Sequence, residues 1–513
     1  MISDYSDAPL LQAHEFGDVY SSRHRIIYLC AVVAGIVISF VLYQSAAGFT
    51  WEYYTKVALV FGLFICIAHI LWRVRSGPRN YLAPDVFYVL FYAAFHYSYL
   101  ALWLFGIIDI SDRAGKRVFP APEQYYLVMF IVNFGLLSFL FGYELAAPKE
   151  RNYVSTKIRS LPTASWTLVG TAIMLLALII HIGFIFGVGI RTWLTRGYEV
   201  YIHMDRFSKY YRLWNTQFQI FSLGFGIYIT SVALRHRRLF KGKLGITLFL
   251  IYLFLLLLEG GRTQMVIQGM ILLLVYHFII KRIKLKSLII ITICALMAFS
   301  AIKIIRNLAA FDIPKMIELL KHARETELTH WYDSLVEMGG SVRTVNLTTM
   351  LVPGRESYWH GRSYVQSIVH IIPYLSGKMV PYLGAGPATW LTYTHFGRGV
   401  AGTGFSISAE GYLNFGLPGV FIHMAIIGIL LRRIYARFAT MTSPANTLIF
   451  IIAYGIFMIS VRNHVSLMIT PIFRIIVAAW LLKSFCGEEE VFPTAYGEPG
   501  SYELEDGGTD FYM

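Results

Sequence analysis

The chain has 513 residues, of which 56% are hydrophobic and only 14% are charged, and its mean hydropathy is +0.57. This composition excludes an ordinary soluble enzyme and is typical of a protein that crosses a membrane several times. The four cysteines have neither CxxC nor metal-ligand spacing, so the sequence indicates neither disulfides nor a metal site.

Twelve apolar runs are each about long enough to cross a hydrocarbon core of about 30 Å as a helix. They predict spans at 26–45, 56–72, 82–107, 123–146, 165–188, 213–234, 244–259, 264–280, 287–305, 412–431, 446–461 and 465–485. The seventh and eighth runs are short and meet at Gly260-Gly261-Arg262, where one long or re-entrant helix is the alternative to the hairpin that we expect. The predicted fold is an all-α, polytopic membrane helix bundle of about twelve transmembrane helices.

Basic residues cluster in every second loop, which predicts that these loops and both termini lie in the cytoplasm. The basic segments are WRVRSGPRN, PKERNYVSTKIRS, RHRRLFKGK, KRIKLK and RRIYAR, with Arg23 and Arg25 before the first span. That first run lacks a small-residue cleavage site and reads as an uncleaved signal anchor. Because topology accounts for the inner basic residues, we expect no nucleic-acid partner.

The topology divides the chain into five segments. They are a cytoplasmic N-terminus at 1–25, nine spans at 26–305, a large periplasmic loop at 306–411, three spans at 412–485 and an acidic cytoplasmic tail at 486–513. In the loop, the stretch DIPKMIELLKHARETELTHWYDSLVEMGG predicts an amphipathic helix that ends at Gly-Gly. The tail is rich in Gly, Pro and Glu and is predicted to be disordered.

Arginine is frequent on the predicted outer face, against the usual bias. The loop around 189–212 holds four, and the long interval adds Arg306, Arg324, Arg343, Arg355, Arg362 and Arg398. A guanidinium binds phosphate through a planar fork, so a diphosphate or an anionic head group is the expected partner. The alternative is that single arginines only anchor the chain at the bilayer interface.

The segment LLLLEGGRTQ places Glu259 and Arg262 in a tight turn between apolar helices. Charges held that close to hydrocarbon indicate function, although the two could simply pair with each other. Trp and Tyr recur through the long interval, where they suit either a sugar substrate or an aromatic interfacial belt.

The stretch GTGFSISAEGYLNFG at 402–416 leads from this interval into the next span. Together with Tyr358, Gly361, Ser363, Tyr364, Ile372 and Pro373, and with Gly260-Gly261-Arg262 upstream, it resembles the Wzy-type oligosaccharide repeat-unit polymerases, which include the O-antigen polymerases. The likeness covers about residues 245–435. Arg343 and Gly354 also satisfy an Arg-x10-Gly pattern described for some members.

The resemblance implies a metal-independent membrane glycosyltransferase, without a cofactor and related in architecture to the GT-C enzymes, in a bacterial inner membrane. Its substrates would be undecaprenyl-diphosphate-linked oligosaccharides held beside membrane lipid, and a chain-length regulator and a flippase are possible partners. Arginines would stabilise the leaving diphosphate, and a carboxylate or imidazole would accept the proton of the attacking hydroxyl.

On this basis the candidate residues fall into two groups. The catalytic candidates are Glu410, Arg262, His370 and His395, and the substrate-binding candidates are Arg306, Arg343, Arg355, Arg398, Tyr364, Tyr412 and Asn414. For Glu410 the alternative is a salt bridge that holds the loop. A ligase that moves finished glycan from the same carrier to another acceptor, or a transporter of lipid-linked sugars, is the alternative function.

Overall fold

The structure is a computed structural model. It describes residues 22–76, 81–109, 124–147, 160–196, 209–259, 261–307, 332–372, 375, 379, 382–396, 404–438 and 443–490. Helices dominate these residues, which confirms the predicted all-α class. The β-structure within them is one antiparallel pair of three-residue strands.

The first half of the chain supplies mostly long apolar helices. Their bounds are α1 Ser22–Ser45, α2 Trp51–Ser76, α3 Pro84–His96, α4 Ser98–Leu104, α5 Tyr125–Leu145, β1 Ser160–Pro162, α6 Ala164–Val188, α7 Ile190–Arg196, α8 Lys209–His236 and α9 Gly242–Glu259.

The second half mixes long helices with short ones from the predicted outer loop. Their bounds are α10 Arg262–Val275, α11 Leu285–Asn307, α12 Asp333–Gly339, α13 Ser341–Leu351, α14 Arg362–Val369, α15 Pro387–Leu391, α16 Ile407–Phe438, α17 Pro444–Ser460, α18 Ser466–Cys486 and β2 Glu488–Glu490.

Each of the twelve predicted apolar runs is helical over most of its described length. Among the described residues, eight helices are long and apolar enough to cross a membrane, or nine if the bent pair α3 and α4 forms one span. Shorter apolar helices at Leu285–Ala298 and Pro444–Ser460 lie in two further predicted spans. The two runs around Gly261 are separate helices, because α9 ends at Glu259 and α10 begins at Arg262.

Helices α5 and α16 pack with their backbones almost in contact. A Cβ added at Gly142 would lie 2.0 Å from the Ala425 carbonyl oxygen, and one added at Gly428 would lie 2.2 Å from the Phe139 carbonyl oxygen. Small residues let transmembrane helices approach this closely and gain van der Waals contact. This packing fixes the position of α16, the helix that carries the predicted Gly-rich stretch.

The outer-loop helix α12 packs against the bend between α3 and α4, where the two axes differ by 60°. Ser98 donates a hydrogen bond to the Leu335 carbonyl oxygen at 2.8 Å, and a Cβ at Gly339 would lie 2.3 Å from the Tyr99 nitrogen. The predicted amphipathic helix is thus helical at its end, whereas its first part, up to residue 331, lies outside the described residues. Part of the outer loop is therefore built into the bundle.

The predicted tail begins with an ordered strand rather than with disorder. Strand β2 pairs with β1, so that Ser160 lies opposite Glu490. Arg235 forms an ion pair with Glu489 at 3.0 Å, and the Ser160 hydroxyl donates to Glu488 at 2.9 Å. These bonds give Glu488 and Glu489 partners that could not be predicted from composition. The rest of the predicted tail, residues 491–513, lies outside the described residues.

Candidate active site

Helix α16 breaks near its beginning, inside the Gly-rich stretch. Phe415 and Gly416 have non-helical backbone angles, and Pro418 follows with no N–H to donate. The carbonyl groups of Leu413 and Asn414 consequently lose their usual helical partners. The helix begins at Ile407, five residues before the predicted start of the span at residue 412.

The loop segment before α14 supplies the missing donors. The Trp359 N–H donates to the Leu413 carbonyl at 3.0 Å, and the His360 N–H donates to the Asn414 carbonyl at 3.0 Å. Buried backbone carbonyls are costly to leave unpaired, so these bonds hold the loop onto the break. The two motif segments that the sequence separates by about fifty residues therefore form one site.

The Asn414 side chain joins the same two segments. Its Oδ1 accepts a hydrogen bond from the Gly361 N–H at 3.1 Å. Its Nδ2 donates to Ser363 Oγ and to the Glu410 carbonyl oxygen, each at 2.8 Å. Asn414 is fully buried, so all three bonds are made away from solvent. Only a side chain with both an acceptor and an NH2 group can make this set.

Two glycines allow the chain to turn here. Gly361 has φ +88° at the start of α14, and Gly416 has φ +65° in the break. Both values lie in the left-handed region that disfavours a side chain. Across the break, a Cβ at Gly419 would lie 2.2 Å from the Gly411 carbonyl oxygen, so the two arms of α16 fold closely against each other.

Glu410 is fully buried in the first arm of α16. Its Oε2 accepts a hydrogen bond from the Val465 N–H at 2.7 Å, and its Oε1 is buried without a hydrogen-bond partner among the described residues. Ser363 lies beside the same carboxyl. The carboxyl thus links the first arm to the turn between α17 and α18. Among the described residues it forms no salt bridge with an arginine.

The turn that Glu410 holds also carries His464, whose Nδ1 has no partner among the described residues. Burial lowers the pKa of His464 to about 4, and the neighbouring His370 adds to this effect. Burial also lowers the pKa of His370, which is half-buried just after α14. Both imidazoles are therefore neutral near pH 7, the state in which an imidazole can accept a proton.

A second group of predicted residues meets on the outer-loop helices. Burial lowers the pKa of His395, and the positive charges of Arg343 in α13 and of Arg355, which follows α13, lower it further. Arg355 is exposed and Arg343 is half-buried. The structure thus brings two of the predicted diphosphate ligands together with a predicted catalytic histidine.

The aromatic candidates surround the loop at the break. The rings of Tyr358 and Tyr412 lie 5.9 Å apart, and those of Tyr364 and Phe415 lie 6.4 Å apart. Burial raises the pKa of Tyr364, and the Glu410 charge raises it further, which places this hydroxyl near the carboxyl. Aromatic faces beside polar groups are suited to sugar rings.

Arg262 pairs with a residue that sequence reasoning missed. Its two terminal nitrogens donate to both carboxylate oxygens of Glu337, at 2.7 and 2.5 Å. Glu259 instead accepts from Trp193 Nε1 at 3.1 Å and lies 2.9 Å from His181 Nε2. The alternative that Glu259 and Arg262 pair with each other does not hold, because each charge finds a partner in another helix.

Two predicted ligands cannot be placed in the site. Arg306 lies in α11, but its side chain is outside the described residues, and Arg398 lies outside them altogether. Arg462, which the sequence analysis did not single out, lies against Gly404 in the turn before His464. In the predicted topology this turn lies outside, where an arginine departs from the positive-inside bias.

The fold and this site are those of a multi-pass membrane protein in which a loop and a broken helix enclose a buried polar site. The chain matches the family described as O-antigen polysaccharide polymerase Wzy over residues 26–488, and it belongs to that family. This membership confirms the resemblance.

The chain is also similar, over part of its length, to a bacterial protein. Protein CapE of Staphylococcus aureus is 30% identical over 152 residues, which are 28% of this chain and 30% of CapE. The match therefore spans less than a third of CapE. No solved structure matches the chain.

Proposed function

We propose that this protein polymerises undecaprenyl-diphosphate-linked oligosaccharide repeat units into O-antigen or exopolysaccharide on the periplasmic face of the bacterial inner membrane. Family membership supports the reaction class. The observation that carries the proposal is the union of the 358–364 and 410–416 segments at the break of α16, next to outer-loop helices that hold Arg343, Arg355 and His395.

In the reaction, a sugar hydroxyl of the incoming unit attacks the anomeric carbon that attaches the growing glycan to its carrier. The new glycosidic C–O bond forms as the C–O bond to diphosphate breaks, and the diphosphate leaves with the electron pair. The hydroxyl proton passes to a base. The protein must therefore neutralise the leaving diphosphate and accept one proton.

We propose that arginines of the outer loop bind and stabilise the leaving diphosphate. Arg343 and Arg355 lie close enough to influence the same histidine, which favours a shared anionic ligand. Two guanidinium groups can grip the oxygens of a diphosphate in parallel forks. Arg306 and Arg398 are further candidates for the same task, and Arg262 holds Glu337 instead.

We propose that an imidazole accepts the proton of the attacking hydroxyl and that Glu410 positions the turn beside it. Glu410 is fully buried and bonded to the Val465 N–H, which suits a residue that fixes the turn carrying His464. His370 is only half-buried, neutral near pH 7 and next to that turn. His370 is therefore the first candidate for the base, and His395, next to the arginines, assists at the leaving group.

The test is to delete the gene in its host, resolve the surface and secreted glycans by size, and extract lipid-linked intermediates in parallel. Loss of long chains with single repeat units persisting supports the polymerase. Normal long chains that stay on the lipid carrier indicate a ligase. An unchanged glycan profile contradicts the assignment to glycan assembly.

A further inference from the structure

Helix α14 is amphipathic, but its polar face is buried and its apolar face is exposed, the reverse of what is usual for a helix in a water-exposed loop. Its polar residues face inward, since Ser363, Gln366 and Ser367 are exposed by only 1%, 3% and 0%. Its apolar residues face outward: Val365 and Ile368 are 49% and 63% exposed. Ile372, one turn beyond the helix, is 54% exposed and continues the stripe.

The inward polar face is bonded to the candidate site. Ser363 Oγ accepts from Asn414 Nδ2 at 2.8 Å, and Ser367 Oγ donates to the Ser363 carbonyl oxygen at 2.8 Å. Gln366 Nε2 donates to the Leu383 carbonyl oxygen at 2.7 Å. These bonds fix the rotation of the helix, so the apolar face cannot turn away from its surroundings.

The outward face adjoins exposed apolar side chains of two candidate membrane spans. Helix α14 packs against α18, a candidate membrane span whose first turn exposes Leu467. At the other end, the exposed Phe415 ring lies beside Gly361 and Tyr364. A contiguous apolar surface of this kind is unfavourable in water and is typical of contact with hydrocarbon. Helix α14 is therefore a wall between this apolar surface and the Asn414 site.

The position of this wall favours one kind of hydrocarbon chain. Arg362 begins α14, stacks over Trp359 at 4.4 Å and donates from Nε to the Leu383 carbonyl oxygen, the acceptor that Gln366 also uses. A cation is therefore held at the N-terminal end of the helix, beside its polar face. Ile368 lies six residues further along, about 9 Å at the helical rise of 1.5 Å per residue. A lipid whose diphosphate is held by arginines of the outer loop, Arg362 included, and whose long apolar tail lies along the stripe matches this order of charge and hydrocarbon.

We propose that the Val365, Ile368 and Ile372 face of α14 binds the polyprenyl chain of the lipid-linked substrate, so that the chain lies outside the wall while its sugars enter behind it. This rests on the proposed function for the identity of the carrier. It adds the surface that receives the carrier's tail.

The experiment places the photocrosslinking residue p-benzoylphenylalanine at Ile368 in the full chain in lipid nanodiscs, with radiolabelled undecaprenyl diphosphate as probe. The matched control carries the same residue at Leu168, an exposed position on α6. Excess unlabelled undecaprenyl diphosphate and excess phosphatidylglycerol are added in separate competitions. Val365 serves as a second test position if the Ile368 variant is not recovered as a monodisperse protein.

We expect several-fold more labelling at Ile368 than at Leu168, suppressed by undecaprenyl diphosphate and not by phosphatidylglycerol. Equal labelling at the two positions, or equal suppression by both lipids, would mean bulk lipid contact only and would overturn the proposal, as would the absence of labelling. Failure of the polymerase assignment is separate. It is measured by chain length in the host, and a ligase using the same carrier would keep the labelling pattern.

Discussion

Asn414 reaches from the broken helix α16 to Ser363 of the outer-loop helix α14, with a hydrogen bond of 2.8 Å between Nδ2 and Oγ. The bond is fully buried and joins residues that are 51 positions apart in the chain. It connects the two segments that form the candidate site. The stability and activity of the protein should therefore depend on it.

Replacing Asn414 by Ala removes three hydrogen bonds and leaves the Gly361 N–H and Ser363 hydroxyl without this partner. We expect a loss of stability on the order of 2 kcal/mol together with loss of long glycan chains. The measurements are thermal unfolding in nanodiscs and glycan size in a deletion strain. Asn446→Ala, at the half-buried start of α17, is the control, and equal effects of both variants would contradict the assignment.

Glu410 variants separate positioning from proton transfer. Glu410→Gln retains an oxygen for the Val465 N–H, whereas Glu410→Ala does not. We expect Glu410→Gln to produce near-normal chains and Glu410→Ala to lose them, with protein levels monitored in the membrane fraction. If Glu410→Gln is folded but inactive, the carboxylate itself takes part in the chemistry.

Arg355 provides a test of diphosphate binding that is largely free of folding effects, since it is exposed. Arg355→Ala should lower the polymerisation rate by about tenfold or more, equivalent to ~1.4 kcal/mol of lost stabilisation, and Arg355→Lys should recover part of it. The control is Arg75→Ala at the exposed end of α2. Equal rates for the two alanine variants would exclude Arg355 from the site.

The neutral His464 predicts a pH dependence of stability. Its pKa falls from an ordinary 6.5 in the unfolded chain to about 4 in the folded protein, so the unfolded state binds more protons between these values. Stability should thus be complete above pH 6.5 and decrease as the pH falls toward about 4. Melting curves of the wild type and His464→Asn test this, and an equally steep decline in the variant would show that another group is responsible.

The Arg262 and Glu337 pair should act as a link between α10 and α12. Because both side chains are partly exposed, we expect a coupling energy of only about 0.5–1 kcal/mol in a double-mutant cycle of the alanine variants. Both single variants should destabilise the protein to a similar degree. A far larger loss of polymerisation for Arg262→Ala than for Glu337→Ala would instead return Arg262 to the substrate site.

The sequence was sufficient for the all-α class and for the positions of the long helices. Each apolar run at the predicted positions is helical over most of its described length, and among the described residues eight or nine helices are long and apolar enough to span a membrane. The break in α16 was not predicted, although Gly416 and Pro418 were visible, because hydropathy does not register backbone angles. The partners of these charged side chains were harder still to predict from the sequence. Glu410 meets Val465 and Arg262 meets Glu337 only through tertiary packing, across 55 and 75 positions.

The most direct test of the polymerase is reconstitution. The purified full chain in nanodiscs is supplied with undecaprenyl-diphosphate-linked repeat units extracted from the deletion strain, and the products are resolved by size alongside released undecaprenyl diphosphate. We expect a ladder of products that differ by one repeat unit, with one undecaprenyl diphosphate released for each bond formed. Repeat units that remain single while the protein is folded and the carrier is bound would contradict it.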